Sequence, residues 1–293
     1  MVDNGPVAVV GGSGKTGRAV RAALEARGAA SFAIGRRDWD RLPDALADAD
    51  RIYLIAPNLH PDEPGYVGTA VEAARAAGIE RLVYHSVAAP YAPDMPHHLG
   101  KARAEDVVRR SGLAWTILQP CAYVQNLVPG LRHDPPALRL PYSTETAFGL
   151  VDLADVGEAA AVTLLDDGHV GATYELGGRA VALVDVARTA EGVLGRAVTA
   201  DRVEPEEWAR TEGAGLGPRE RDWLLRMFAY YDVHGLPTGS LPLAALLGRD
   251  ATPLETTIRR ELLDGWGDRG SVDQRPGEAR EGPGAEPFGA RHQ

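Results

Sequence analysis

The sequence predicts an α/β fold, a doubly wound parallel sheet with helices on both faces and a smaller α/β portion toward the C-terminus. Three observations carry this. Short apolar runs alternate with alanine-rich stretches through the first half of the chain, the rhythm of a parallel sheet buried between helical layers. A glycine-rich turn, Gly11-Gly12-Ser13-Gly14-Lys15-Thr16-Gly17, separates the first apolar run from the first alanine-rich one. Gly28, Gly78 and Gly112 fall where the helices should stop, as C-terminal caps do.

The expected strands are Val7–Val10, Ser31–Ile34, Arg51–Ala56, Arg81–Ser86 and Trp115–Leu118, each a short apolar run. Between them the spacing predicts helices over Thr16–Ala26, Tyr66–Ala77 and Lys101–Arg110, with a short one around Arg41–Ala47. In the first helix Val20, Ala23 and Leu24 share one face. Beyond Pro120 the rhythm changes. Pro129, Pro135, Pro136 and Pro141 mark an excursion suited to a loop over a substrate pocket. A strand over Thr146–Val151 and a helix over Ala154–Leu165 follow. Thr173–Leu176, Leu183–Leu194 and Ala197–Val203 suggest the smaller α/β portion, followed by a helix near Glu220–Tyr231. From Gly267 the chain is Gly, Pro, Glu, Arg and Gln with almost no apolar residues, so it buries no core and is expected to be disordered. The expected division is 1–150 for a dinucleotide-binding domain, 151–266 for the rest of that fold plus a substrate-binding portion, and 267–293 for the tail.

Composition narrows the function classes. The chain has 293 residues, 44% hydrophobic and 25% charged, ordinary for a soluble globular protein. No stretch has the length of a membrane-spanning helix, and Met1–Pro6 has neither the basic region nor the apolar core of a signal peptide. Cys121 is the single cysteine, which excludes an intrachain disulfide and fits a reducing cytoplasm. With a net charge of −10 and no basic cluster, nucleic acid is not an expected partner. No Cys/His group has zinc-ligand spacing, and the adjacent His97 and His98 would not share a helix face, so no metal is expected.

The letters GKT within the glycine turn suggest a triphosphate-binding loop, G-x-x-x-x-G-K-[ST], whose first glycine would have to be residue 9. Residue 9 is Val9, inside an apolar strand, so that reading fails. Gly12-Ser13-Gly14-Lys15-Thr16-Gly17 is instead G-x-G-x-x-G between a strand and a helix, the context in which glycines let backbone approach a pyrophosphate at a helix N-terminus. In such sheets ligands sit beyond the carboxyl ends of the strands, so the strand ends matter most. Ala56-Pro57 after the third strand is expected to border the cofactor. The second strand ends in Gly35-Arg36-Arg37. Two guanidiniums there suit a ribose 2′-phosphate and so favour NADP(H) over NAD, unless Asp38 and Asp40 neutralise them. Lys15 adds a second positive contact.

Later motifs extend the reading. They are Tyr84-His85-Ser86-Val87, His97-His98-Leu99-Gly100-Lys101, Glu105, Ser111 to Pro120 (SGLAWTILQP), Tyr123, Gln125-Asn126 and Val151-Asp152-Leu153-Ala154-Asp155-Val156-Gly157. Together they resemble the NmrA-like proteins, an atypical branch of the short-chain dehydrogenase/reductase superfamily with an NAD(P)-binding Rossmann fold, over roughly residues 6 to 262. Gly12 and Ser13 replace the family's usual Ala-Thr, and Gln119 stands where many members carry Arg. Ordinary short-chain dehydrogenases use Tyr-x-x-x-Lys, in which the tyrosine donates a proton and the lysine holds the nicotinamide ribose. Here the tyrosine position is His97, one helical turn before Lys101.

The resemblance implies that Lys101 contacts the cofactor. His97 either titrates near neutrality and donates the proton or merely begins its helix. Ser86, at a strand end, either orients a substrate carbonyl or caps local backbone. Tyr123 and Asn126 either line the nicotinamide or substrate pocket or make ordinary polar contacts. Cys121 reads as a small buried residue, and Trp223, Met227, Tyr230 and Tyr231 as core or pocket wall. Two functions follow. One is an NADPH-dependent oxidoreductase acting on a carbonyl, quinone or activated double bond of a small molecule. The other is a non-catalytic redox sensor that binds the dinucleotide and contacts a regulator protein. Oligomeric state stays open, a homodimer included.

Overall fold

A computed structural model of the chain describes residues 5–263; the tail over which disorder is expected lies outside the described residues. The first half alternates β1 (Val7–Val10), α1 (Lys15–Ala26), β2 (Ser31–Ile34), a 3-10 turn (Arg36–Arg41) leading into the short α2 (Leu42–Ala45), β3 (Arg51–Leu54), α3 (Glu63–Ala76), β4 (Arg81–His85), α4 (Pro96–Arg109) and β5 (Ala114–Pro120). After these come a 3-10 turn (Val124–Asn126), α5 (Val128–Leu131), β6 (Ala137–Leu140), α6 (Leu153–Leu165), β7 (Thr173–Leu176), α7 (Leu183–Leu194) and β8 (Thr199–Arg202). Four helices complete the described chain: α8 (Pro205–Arg210), α9 (Pro218–His234), α10 (Leu241–Leu247) and α11 (Leu254–Leu263).

Six strands form one sheet in the order β2-β1-β3-β4-β5-β7, every pair parallel. Side chains alternate across it with period two. Val7, Val9, Tyr53, Val83 and Leu118 pack on Val20 and Leu24 of α1 and on Val156, Ala160 and Leu164 of α6. Ala8, Val10, Ile52, Leu54, Leu82, Tyr84 and Ile117 point the other way, into Leu42, Val67, Ala70, Ala74, Ala104 and Val108 of α2, α3 and α4. The sheet is therefore covered on both faces, the expected doubly wound arrangement. Because β1 is flanked by β2 on one side and β3 on the other, the strand order reverses at β1, the place where such sheets leave a crevice for ligand.

The smaller portion pairs β6 with β8 in parallel. Around it Tyr142, Phe148, Phe228 and Tyr231 form an aromatic cluster, with Tyr142 edge-on to Tyr231 at 5.7 Å and Phe148 edge-on to Tyr231 at 5.3 Å. Polar anchors tie the C-terminal helices to α6. Asp152, the α6 N-cap, accepts from Thr257 Oγ1 at 2.7 Å and is paired with Arg260 at 2.9 Å. Asp155 accepts from Thr252 N at 2.6 Å and from Arg249 at 2.9 Å.

Several elements differ from expectation for local reasons. The third strand stops at Leu54 rather than Ala56, since Pro57 has no N–H to continue the ladder. The fourth stops at His85 rather than Ser86. Helix α4 begins at Pro96, more than a turn before Lys101, because proline is favoured in a first turn whose N–H groups need no helical acceptor. Likewise α3 begins at Glu63 with Asp62 Oδ1 accepting from Gly65 N at 3.0 Å. Thr146–Val151 is not a strand: Phe148 bridges Val181 and Leu236 while Val151 bridges Tyr123, so no single ladder forms. The proline-rich excursion is not a bare loop either, since it contains α5 and β6.

Candidate active site

The glycine turn sits at the carboxyl end of β1. Gly11 takes the left-handed φ of +76° that turns the chain. Side chains at Gly12 and Gly17 are excluded by backbone, because a Cβ at Gly12 would lie 2.7 Å from Val9 O and one at Gly17 2.3 Å from Gly11 O. These two glycines let α1 pack against the strand. Gly14 is different: a Cβ there would meet only Gly11 O, at 3.3 Å, so its outer face is open. Gly14 is also the N-cap of α1, with no side-chain cap and no acidic residue in the first turn. The first-turn N–H groups of Lys15, Thr16 and Gly17 therefore face outward beside the positive end of the helix dipole. Ser13 holds the turn through its carbonyl, which accepts from Arg18 at 2.7 Å. This cradle fits the diphosphate of a dinucleotide, and its donors match an anion.

At the end of β2, Gly35 N donates to Asp38 Oδ2 at 2.8 Å, so Asp38 spends its carboxylate on the turn. Among the described residues neither exposed Arg36 nor exposed Arg37 makes an ion pair, and Asp40 does not neutralise them. Trp39 stacks on Tyr66 of α3 at 3.9 Å and anchors this turn beside the crevice. Ala56 is buried and Pro57 exposed at the end of β3. The loops following β3 and β4 each hold a non-glycine residue at positive φ, Leu59 at 54° and Ala89 at 49°, a conformation that gathers at functional edges.

Two buried polar networks close the carboxyl edge, one on each face of the sheet. On the α3/α4 face, Glu63 is 1% exposed. Its Oε1 accepts from Lys101 Nζ at 2.7 Å and from Tyr84 Oη at 2.6 Å, while Oε2 is buried without a partner. Lys101 also donates to His85 O at 3.4 Å. Beside it, Glu105 accepts from Ser86 Oγ at 2.5 Å, Gln119 Nε2 at 2.7 Å and Arg109 at 2.9 Å. On the opposite face, His85 bridges two phenols, with Nδ1 2.6 Å from Tyr53 Oη and Nε2 2.8 Å from Tyr123 Oη. Lys15 reaches the same region, its Nζ donating to Asn126 Oδ1 at 2.7 Å and lying 5.7 Å from the centre of the Tyr123 ring.

These contacts revise the roles expected of single residues. Burial, with the nearby Lys101 charge second, pushes the His97 pKa down to about 3, so its imidazole is neutral at neutral pH and does not titrate near neutrality. The hydroxyl proton of Ser86 is committed to Glu105, so Ser86 has only lone pairs to offer a ligand. Lys101 is held by Glu63, a residue with no part in the sequence reading. Tyr53 and His85 likewise have no role in the sequence reading, although both lie within the last two residues of apolar strands at the functional edge. Cys121 is buried, its thiol pushed up to about 11 chiefly by desolvation, and it donates to Leu236 O. Tyr231 belongs to the core cluster and donates to His98 Nε2 at 3.3 Å, the other ring nitrogen of His98 donating to Ala89 O at 3.2 Å.

Three buried imidazoles lie within this edge, and they predict acid sensitivity. Burial is the leading cause that pushes His85 and His97 down to about 3 and His98 to about 4. Unfolding frees each to bind a proton near its ordinary pKa of about 6.5. Below that pH the unfolded state therefore holds more protons, and stability falls as pH drops toward the folded values. With three groups the slope approaches ~4 kcal/mol per pH unit. Denaturant unfolding at neutral pH and at about pH 5 should show this loss; equal stability at both would contradict it.

Comparison with known proteins agrees with the architecture. The chain is 29% identical over 202 residues to the NAD(P)H azoreductase of Xenophilus azovorans, covering 67% of this chain and 69% of that one. It is 27% identical over 248 residues to Quinone oxidoreductase 2 of Escherichia coli, covering 80% and 84%. Among solved structures it superposes on the NADPH-dependent quinone oxidoreductase of Escherichia coli complexed with NADPH, with a TM-score of 0.72, 22% identity and coverage of 86% and 98%. Against the Citrobacter triphenylmethane reductase complexed with NADP(H) the TM-score is 0.73, the identity 21% and the coverage 88% and 100%. These likenesses show a shared fold. The model of the NmrA-like family matches residues 23–261, and with most of its length inside that match the chain belongs to the NmrA-like family.

Proposed function

We propose that this chain is an NADPH-dependent oxidoreductase that reduces a carbonyl, quinone or activated double bond of a small organic molecule. The observation that carries the reading is the uncapped, glycine-lined N-terminus of α1 at the point where strand order reverses, with two unpaired guanidiniums at the end of the neighbouring strand. The relatives named above, an azoreductase and a quinone oxidoreductase, support it. When bound, the reduced nicotinamide supplies a hydride.

The chain's own residues bind and orient. The α1 first turn and Lys15 hold the diphosphate, and Arg36 and Arg37 hold the 2′-phosphate. Ala56 and Pro57 border the crevice. Lys101, with two N–H groups committed to Glu63 and His85 O, gives its third to a ribose hydroxyl. Ser86 accepts a hydrogen bond from the ligand, and Tyr123 with Asn126 walls the crevice beside Lys15. His97 acts there as a neutral imidazole.

Removing both guanidiniums tests the cofactor choice. Arg36→Ala/Arg37→Ala should weaken NADPH roughly 10- to 100-fold, since each charge-assisted hydrogen bond contributes about 1.5–3 kcal/mol before partial compensation by water. NADH affinity should hardly move. Equal losses for the two cofactors would remove the 2′-phosphate role. The second reading, a non-catalytic sensor, is favoured by one observation: the tyrosine position holds His97, whose pKa near 3 leaves it without a proton to donate at neutral pH. NADPH consumption in the presence of a para-quinone supports the enzyme; NADPH binding with no consumption by any carbonyl, quinone or enone acceptor supports the sensor.

A further inference from the structure

If the chain is a reductase, as proposed above, His97 leaves the reaction without an evident source of its proton. We infer that Tyr123 is the proton donor, and that Tyr53 and His85 are positioning residues that keep its O–H free for the ligand. The inference follows from where each proton in the buried Tyr53–His85–Tyr123 chain can go.

Tyr53 is 0% exposed, and among the described residues its hydroxyl meets only His85 Nδ1 at 2.6 Å. A buried O–H with no acceptor costs about 1–3 kcal/mol, so Tyr53 donates and Nδ1 accepts. His85 is neutral, held so by burial and then by the Lys101 charge. A neutral imidazole carries one N–H, which must then be on Nε2 and is donated to Tyr123 Oη at 2.8 Å. Burial raises the Tyr123 pKa and keeps the phenol protonated, with the neighbouring Thr16 side chain working the other way. A lone pair of Tyr123 is thus occupied by the imidazole N–H, and His85 does not claim the phenol's own proton. The phenol carrying it lies beside the glycine turn, with Lys15 Nζ 5.7 Å from the ring centre. The fully buried Tyr53 is the lock: were its proton elsewhere, His85 Nε2 would take that of Tyr123.

The step balances. The acceptor gains two electrons and one hydrogen as hydride from the reduced nicotinamide, and its C=O π bond breaks. The oxygen left with the electron pair takes the proton as the Tyr123 O–H bond breaks. The Tyr123 phenolate is stabilised by His85 Nε2–H, Thr16 and the Lys15 ammonium. It regains a proton from water once product leaves.

The first test needs no cofactor. Nitrogen-15 NMR of the imidazoles in the free protein, with His85→Gln to assign the signal, should show His85 protonated on Nε2 alone. A proton on Nδ1 would overturn the proposal, because Tyr123 would then donate to His85. The second test uses Tyr123→Phe with NADPH and a para-quinone. Turnover should fall about 10²- to 10⁴-fold, the usual contribution of a general acid, with NADPH affinity within about threefold of the original protein. Turnover within that same margin would overturn the proposal. Tyr53→Phe should populate both His85 tautomers and lower kcat with little change in KM; a merely structural Tyr53 would leave the tautomer unchanged. Failure of the reductase reading is seen separately, as an original protein that binds no NADPH or consumes none.

Discussion

Gly17→Ala is expected to destabilise the chain by about 3 kcal/mol and to abolish dinucleotide binding. The added Cβ would fall 2.3 Å from Gly11 O, 2.5 Å from Gly12 Cα and 2.8 Å from Gly12 C. All three are backbone atoms, so no side chain can swing away. Relief requires α1 to slide from β1, and forced overpacking of this kind costs about 1–3 kcal/mol, occasionally more. Gly14→Ala is the matched control for mechanism. Its Cβ meets only Gly11 O at 3.3 Å, so stability should change by less than about 1 kcal/mol, the scale of an N-cap substitution. Yet the methyl would occupy the open face of the cradle, and binding should still be lost. Thermal unfolding and NADPH titration on the two variants separate the effects. Intact binding in Gly14→Ala would place the diphosphate elsewhere.

Glu63→Ala is expected to cost about 3–5 kcal/mol, the range for breaking a buried ion pair from one side. The side chains of Lys101 and Glu63 are only 9% and 1% exposed, and their atoms meet at 2.7 Å. Removing Glu63 strands the ammonium inside the protein and leaves the Tyr84 hydroxyl, now 2.6 Å from Glu63 Oε1, without its acceptor. Lys101→Ala strands the carboxylate instead, although Tyr84 still donates to it. The double variant Glu63→Gln/Lys101→Met, which buries no charge, should be more stable than either single alanine variant. Measured as a cycle with the single variants Glu63→Gln and Lys101→Met, the coupling should be large and favourable. Near-additive losses would mean that the pair is solvated and that Lys101 is free to move.

The main sheet was legible because its cues are local. Apolar runs, glycine stops and the strand–turn–helix context of Gly12 to Gly17 all lie within short windows, and exclusion of the triphosphate loop needed only Val9. Boundaries shift where proline chemistry acts, at Pro57 and Pro96, and where Asp62 caps α3, and Thr146–Val151 is not a strand because its apolar residues pack in isolated bridges rather than a ladder. The glycine cradle was legible for the same local reason. The two polar networks were not. Glu63 and Lys101 stand on different helices, and only the parallel sheet brings the first turn of α3 beside the second turn of α4. Tyr53 and His85 sit on adjacent strands, and their meeting depends on the β3–β4 register, Tyr53 opposite Val83 and Leu54 opposite Tyr84. A polar or phenolic residue at the carboxyl end of a buried strand was the available signal. The fall of the His97 pKa is a property of burial, which spacing does not carry.

The most direct test of the central claim is a fluorescence titration of the purified chain with NADPH and with NADH, using ATP as competitor. The account predicts tight NADPH binding, weaker NADH binding and no displacement by ATP. Failure to bind either dinucleotide would contradict it, and would reduce the sequence from Gly11 to Gly17 to a strand–helix turn.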